Sequence, residues 1–316
     1  MITKLSSDQI IGCESYYRLA NYEFDHIMDD NYPDHSIIHV HMDHINEFFS
    51  KINGNGRKYV VVSSRSDYGI FYQQEFPVWA DMYKSVKMFS KPDWYYNGLQ
   101  LPPRCDLNRC LMADKYSIKM YMWTKSTFNR IPENVVRWFC TNCCIKEPRV
   151  EGIPFGVNNV DGGTQFFDLY NKIKLKDKNK LLYVNFQLYT NERSELIEYF
   201  HRPWATVKRD IPFEEYMNDL NEHQFCLCPA GNGIDCYRVL EALYMGCIPI
   251  VETHPGFNYL HNTSLPIIQI DNFHRLNEDF LNRWYNQNFH QLNWSLKEAT
   301  LSYWKDKINE GFSYGS

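Results

Sequence analysis

The stretch whose reading decides the fold is Phe225–Val251, FCLCPAGNGIDCYRVLEALYMGCIPIV. Gln224 to Cys228 is a short apolar run with the character of a buried strand. Pro229-Ala230-Gly231-Asn232-Gly233 is a cluster of turn residues. From Asp235 to Met245 the apolar residues recur at helical spacing, with Cys236, Val239, Leu240 and Leu243 on one sector. Gly246 stands where a helix stops, and Cys247 to Val251 is a second apolar strand. Strand, glycine-rich loop, helix, strand is the repeating unit of a parallel sheet with right-handed crossovers.

The same alternation extends on both sides. Leu181–Phe186, Thr206–Lys208 and Pro266–Ile270 read as strands, and Glu192–Phe200 and Pro212–Leu220 as helices, the second with proline at its first turn, where the missing N–H does no harm. Helices carrying Trp284, Trp294 and Trp304 follow and are expected to anchor on the body. Upstream, Ser36–Met42, Lys58–Ser63, Val135–Thr141 and Gly152–Val157 read as strands. Helices are expected through His44, Phe48 and Ile52 and over Phe76–Met88. The turn-rich Asn158–Gly163 and a Lys/Asp run from Lys172 to Lys180, read as solvated, mark a boundary. The expectation is two α/β domains, 1–157 and 158–316.

Composition narrows the function classes. The 316 residues are 44% hydrophobic, with 23 Tyr, 20 Phe and 8 Trp, enough to bury a large core and to exclude a disordered chain. A net charge of −5 argues against a dedicated nucleic-acid binder, which needs a basic surplus to displace counterions. No run approaches the roughly 18–20 apolar residues of a membrane span, and Met1–Ile11 lacks a signal-peptide core. A soluble, cytoplasmic chain is therefore expected. Ten cysteines include the cluster Cys140, Cys143, Cys144 and the pair Cys226, Cys228. Neither has a second CxxC or a His pair at zinc spacing, so reduced, mostly buried thiols are expected.

The loop at 229–233 follows a strand, the end of an open α/β sheet where ligands bind. Its glycines let backbone approach a ligand, Asp235 has the chemistry of an N-cap, and the helix end offers free N–H groups to a diphosphate. Asp235, Arg238 and Glu241, at steps of three, span about 120° of the helix as one polar stripe. Arg238 can fork onto phosphate oxygens and Glu241 can accept from sugar hydroxyls. The loop is neither a dinucleotide GxGxxG nor a P-loop, because no Lys-Ser/Thr pair follows the glycines.

The run P-x-G-N-G-x-D-x-x-R-x-x-E-A-L-x-x-G-C-I-P-I-V over 229–251 resembles the donor-binding signature of exostosin-like glycosyltransferases of the GT-B type. RWFCTN at 137–142 and GIPFGV at 152–157 extend the resemblance, which covers about Val135–Asp271. It implies two Rossmann-like domains facing a cleft, C-terminal helices packing back toward the N-terminal domain, and a nucleotide sugar, UDP-linked, in the C-terminal half. It further implies inverting hexosyl or pentosyl transfer to a glycan or other hydroxyl acceptor, with no essential metal or other cofactor. The absence of any Asp-x-Asp in the sequence agrees with that. Arg238 and Arg193 are then the candidates to neutralise the diphosphate. Gly231, Asn232, Gly233, Asp235, Glu241, Lys208 (beside Arg209) and His254 complete the candidate donor site. A general base is expected from the N-terminal half, where Asp67, His41 and Asp43 follow strands. Trp94-Tyr95-Tyr96 and Trp123 could stack on sugars. The alternatives are a non-catalytic binding or scaffold module of the same fold and a sugar-nucleotide epimerase.

Overall fold

The computed structural model of the chain describes residues 4–24, 31–64, 71–72, 127–128, 130–144, 147–160, 163–188, 191–231, 233–254, 256–257, 259–260, 263–289 and 295–313. The expected helix at 76–88, Trp94–Tyr96, Trp123 and Trp294 lie outside these residues.

The first half is built on a five-stranded sheet of β1 (Tyr22–Glu23), β2 (Ser36–His39), β3 (Tyr59–Ser63), β6 (Val135–Cys140) and β7 (Val150–Gly152). Its order is β1-β2-β3-β6-β7 and every pair is parallel. A separate parallel pair joins β4 (Phe71–Tyr72) to β5 (Thr127–Phe128). Between β2 and β3, α1 (Ile45–Ile52) buries Ile45, Phe48, Phe49 and Ile52, spaced i, i+3, i+4, i+7. That stripe packs on Ile38, Val61 and Trp138. Because side chains alternate along a strand, Val60 and Val62 point to the other face, into a different core.

The second half runs α2 (Gln165–Lys172), β8 (Lys180–Val184), α3 (Asn191–Tyr199), β9 (Ala205–Val207), α4 (Phe213–Glu222), β10 (His223–Leu227), α5 (Tyr237–Tyr244), β11 (Ile248–Glu252), β12 (Ile268–Ile270), α6 (Glu278–Asn288) and α7 (Leu301–Asn309). Its sheet is parallel throughout, in the order β12-β11-β10-β8-β9. Leu182, Val184, Phe225, Leu227, Ile248 and Ile250 form one core with Leu196 and Leu281. On the opposite face Tyr183, Cys226 and Val251 pack under Val239, Leu240 and Leu243 of α5, and this core is continuous with Val60, Val62 and Ile11. Among the described residues no helix is long and apolar enough to cross a membrane.

Both ends of the described chain tie the halves together. The Cys13 amide donates to the Val157 carbonyl (2.9 Å) and the Val157 amide to Ile11 (2.8 Å). The Ile11 amide in turn donates to the Tyr244 hydroxyl of α5 at 3.0 Å. At the other end, Lys307 of α7 and Arg137 of β6 both ion-pair with Glu151 of β7, and Trp304 is fully buried.

Three local expectations are corrected. The strand at 152–157 is shorter: β7 ends at Gly152, and Val157 makes only an isolated bridge with Gly12. Gly156 has φ +96°, and a Cβ there would lie 2.6 Å from the Cys13 nitrogen, so the chain must turn on glycine. The helix expected from Asp235 begins at Tyr237 with Cys236 as N-cap. The Lys/Asp run is not uniformly solvated. Lys178 is inserted between two helix ends, donating to the carbonyls of Asn221 (2.8 Å) and Met245 (2.6 Å). It therefore satisfies carbonyls left over at the ends of α4 and α5, and burial lowers its pKa to about 8. Lys178→Met should cost about 2 kcal/mol in urea unfolding, because those carbonyls lose a charged donor; an unchanged midpoint would refute the capping role.

The eight described cysteines are free thiols, seven of them buried. Burial pushes the Cys140 and Cys228 thiols well up.

Candidate functional site

In the second sheet β9 lies on one side of β8 and β10, β11 and β12 on the other. The winding therefore reverses between β8 and β10. Loops leaving two such strands diverge and open a crevice at the sheet's carboxyl edge. Here the loops are 185–188 and 229–233, and the crevice is a cavity of about 660 Å³. Its walls also include Asp210, Ile211, Phe213 and Tyr216 beyond β9, Gln165 and Phe166 of α2, and Phe155 and Asn158 from the segment joining the halves.

Six of the candidate donor-site residues line this one cavity: Arg193, Gly231, Gly233, Asp235, Arg238 and Glu241. Asn232 lies outside the described residues, as does Asp67. Lys208 and His254 are placed elsewhere. Lys208 pairs with Glu215 (2.9 Å) and Asp219 (2.8 Å) of α4. His254 is buried and accepts the Gly256 amide at its Nδ1 (3.0 Å). The turn it shapes supports the glycine loop from behind, since a Cβ on Gly256 would meet Ile234 at 2.8 Å. His41 is half-buried beyond β2, its ring 5.9 Å from that of His44. The side chain of Asp43 lies outside the described set.

The two arginines differ in what holds them. Arg193, only 3% exposed, donates Nε to Ala230 O (3.1 Å), Nη1 to Gln187 O (2.8 Å) and Nη2 to Pro229 O (3.2 Å). It braces the glycine loop against the loop after β8, and only its charge remains for the cavity. A Cβ on Gly231 would come within 3.0 Å of Arg193 Nη2, so this glycine makes room for the brace. Arg238 lies in the first turn of α5. Its only described polar contact is Nη1 to the Cys236 sulfur at 3.8 Å, and its buried Nε has no hydrogen-bond partner among the described residues. Both guanidinium groups lie over the ring of Phe186, at 5.4 Å for Arg193 and 5.8 Å for Arg238.

The acids of the polar stripe are buried. Glu241 Oε2 accepts from the Tyr216 hydroxyl at 2.8 Å, and burial raises its pKa although that bond and the Arg238 charge pull it down. Asp235 is not the N-cap expected of it. One oxygen takes the Cys236 amide (2.8 Å), the other the Phe155 amide (3.0 Å) and the Tyr259 hydroxyl (3.0 Å). Its own amide donates to Asn142 Oδ1 (2.8 Å), just past β6. Asp235 thus fastens the head of α5 to the first half, and burial moves its pKa up to about 6 against the pull of those donors.

Tyr216, Phe186 and Asn158 line the cavity without having been singled out from the sequence. Tyr216 carries no signal beyond the apolar stripe of α4, and Phe186 reads as the end of a strand.

An open parallel sheet with a cavity at its switch point and a glycine loop braced beside a helix start defines a Rossmann-like ligand-binding unit. Residues 177–282, from before β8 into α6, match the family described as RXYLT1 C-terminal domain. That match, over 106 of the 316 residues, supports the resemblance to exostosin-like glycosyltransferases. A comparison with curated proteins finds no match.

Proposed function

We propose that the chain is an inverting glycosyltransferase that takes a nucleotide sugar, UDP-linked, into the cavity between β8 and β10. The observation that carries this reading is Arg238. A guanidinium is held at a helix start, inside a cavity, with a sulfur as its only described polar contact. Half-buried and within electrostatic reach of Glu241, this guanidinium makes no hydrogen bond to a carboxylate or carbonyl among the described residues, and a partly desolvated cation so placed gains from an anion that completes it. A diphosphate does so: its oxygens take the fork of Arg238 and the free amides at the head of α5.

In the reaction the bond from the sugar's anomeric carbon to the diphosphate oxygen breaks, and its electron pair leaves with the diphosphate. The acceptor oxygen attacks from the opposite face, which inverts the configuration. Charge grows on the leaving group, so fixed positive groups there favour the transition state over the bound substrate. Arg238, the α5 end and the Arg193 charge supply them, and no metal is required in this proposal. Glu241, one turn further along α5, and Asn158 line the same cavity and can meet the hydroxyls of ribose or sugar.

The test is thermal unfolding with UDP, GDP, TDP and CMP. A ligand bound only by the folded chain stabilises it by about 2.7 kcal/mol at a hundred times its Kd, a rise of several degrees. UDP is expected to give the largest rise, and UDP release from a UDP-sugar should survive EDTA. No rise with any of the four would end the donor-site reading. Loss of release with EDTA would end metal independence.

A further inference from the structure

Inverting transfer needs a group to take the acceptor's proton. The described part of the first half offers one arrangement built for it, on an edge strand the sequence reading passed over. β1 pairs with β2 so that Glu23 stands beside His39. Glu23 Oε1 lies 4.0 Å from His39 Nδ1; the carboxylate side chain is 45% exposed and the imidazole 1%. On its far side His39 Nε2 is 3.1 Å from Ser64 Oγ, just past β3. The ring of Tyr17 stands edge-on to His39 with centroids 5.6 Å apart. Tyr17 and Tyr22, both just before Glu23 in sequence, are two of the few exposed large hydrophobic side chains among the described residues.

This cluster does not line the cavity but lies at a sheet edge that reaches it. All strands of the first sheet are parallel, so Glu23, His39, Ser64 and Asn142 sit at the same carboxyl edge. Asn142 touches the head of α5 through the Asp235 amide. From β6 to β1 is three strand spacings, about 14 Å. The segment Gly12–Tyr17 spans that gap. Gly12 bridges Val157, Tyr16 is within electrostatic reach of Asp235, and Tyr17 contacts His39.

We infer that Glu23 is the catalytic base of the acceptor side, with His39 and Ser64 as positioning residues, an inference that rests on the glycosyltransferase reading above. The exposed carboxylate accepts the proton of the attacking hydroxyl as the acceptor oxygen bonds to the anomeric carbon and the diphosphate departs with the electron pair. The Ser64 hydroxyl donates to Nε2, which leaves the imidazole proton on Nδ1, facing Glu23. The buried imidazole then orients the exposed carboxylate. The exposed ring of Tyr17, which contacts His39, offers an amphipathic surface to a saccharide beside the base.

The test uses the whole chain and donor hydrolysis, in which water takes the acceptor's place. UDP release is measured from UDP-xylose, UDP-glucose and UDP-N-acetylglucosamine, with the thermal shift by UDP in parallel. Glu23→Gln, at an exposed position, should fold normally and keep the UDP shift while kcat falls at least about a hundredfold, as loss of a general base does. A kcat within threefold of the parent would overturn the assignment. His39→Asn keeps an N–H toward Glu23 and should retain most of kcat, whereas His39→Leu should lose it about tenfold with KM unchanged; equal losses would remove His39 from the mechanism. If the parent chain neither binds UDP nor releases it, the donor-site reading fails first. If it does both and Glu23→Gln is indifferent, only this inference fails.

Discussion

Arg238→Ala is expected to abolish the thermal shift by UDP and to lower nucleotide release by about a hundredfold to a thousandfold, the scale seen when one preorganised stabiliser of developing charge is removed. Arg238→Lys should recover part of both, since it keeps the charge and loses the fork. The size of the effect on the empty chain separates this role from a structural one. A structural arginine, like Arg193 with its three carbonyl partners, destabilises the fold when removed. Arg238 has a buried Nε without a hydrogen-bond partner among the described residues and one sulfur contact. Its removal ends the cost of partly desolvating a guanidinium but also takes a positive charge from Glu241, so Arg238→Met should leave the ligand-free stability in urea within about 1 kcal/mol of the parent. A large loss of ligand-free stability, or an intact UDP shift in Arg238→Ala, would place the anion elsewhere.

Much of the second half was legible because its signals are local. The apolar runs at 181–186, 224–228 and 247–251 and the helical spacing after Asp235 each lie within a dozen residues. The structure finds β8, β10, β11 and α5 there. Gly246, with φ +70° just after the C-cap Met245, does what its position implied. Strand order was not legible, because it is a pairing of distant segments. Yet the reversal between β8 and β10 is what makes the cavity. The same non-locality explains the misread residues. Asp235 has local partners consistent with a cap, but the ones that define it are Phe155 and Asn142, 80 and 93 residues away. Lys178 looks like one more surface lysine until α4 and α5 end on either side of it. Glu23 sits in a two-residue edge strand with no periodicity to detect.

The cavity is consequently not a property of the matched segment alone. Residues 177–282 supply the glycine loop, both arginines and Glu241, but Phe155, Asn158, Gln165 and Phe166 precede that segment. The segment expressed by itself would leave Asp235 and the head of α5 without the Phe155 and Asn142 contacts. The proposed anion site and the fastening of the halves therefore meet at one helix end, and a substitution in the fastening should be felt in both stability and nucleotide affinity.

Asp235→Asn is the substitution that tests that coupling. All three groups facing the carboxylate are donors, and an amide offers them one oxygen and one NH₂. At least one buried donor is left opposed, for about 2 to 4 kcal/mol of destabilisation. The pH dependence should change in a specific direction. Asp235 has a folded pKa raised from 3.8 to about 6. The folded chain therefore binds the extra proton between those values, and its contribution is fully present below pH 4 and lost as pH rises through 6, about 3 kcal/mol in all. His223 works the other way. Its Nδ1–H donates to Asp219 O (2.6 Å), its Nε2 accepts from Thr206, and burial lowers its pKa from 6.5 to about 4. Here the unfolded chain binds the proton first, so stability falls by about 3 kcal/mol as pH drops from 6.5 to 4. In the parent the two slopes oppose each other and stability should be nearly flat across this window. Asp235→Asn removes one of them, so its urea midpoint should climb steadily from pH 4 to 6.5. A parent profile that already climbs across this window, matched by the variant, would mean that Asp235 is ionised in both states, and that its three donors outweigh its burial.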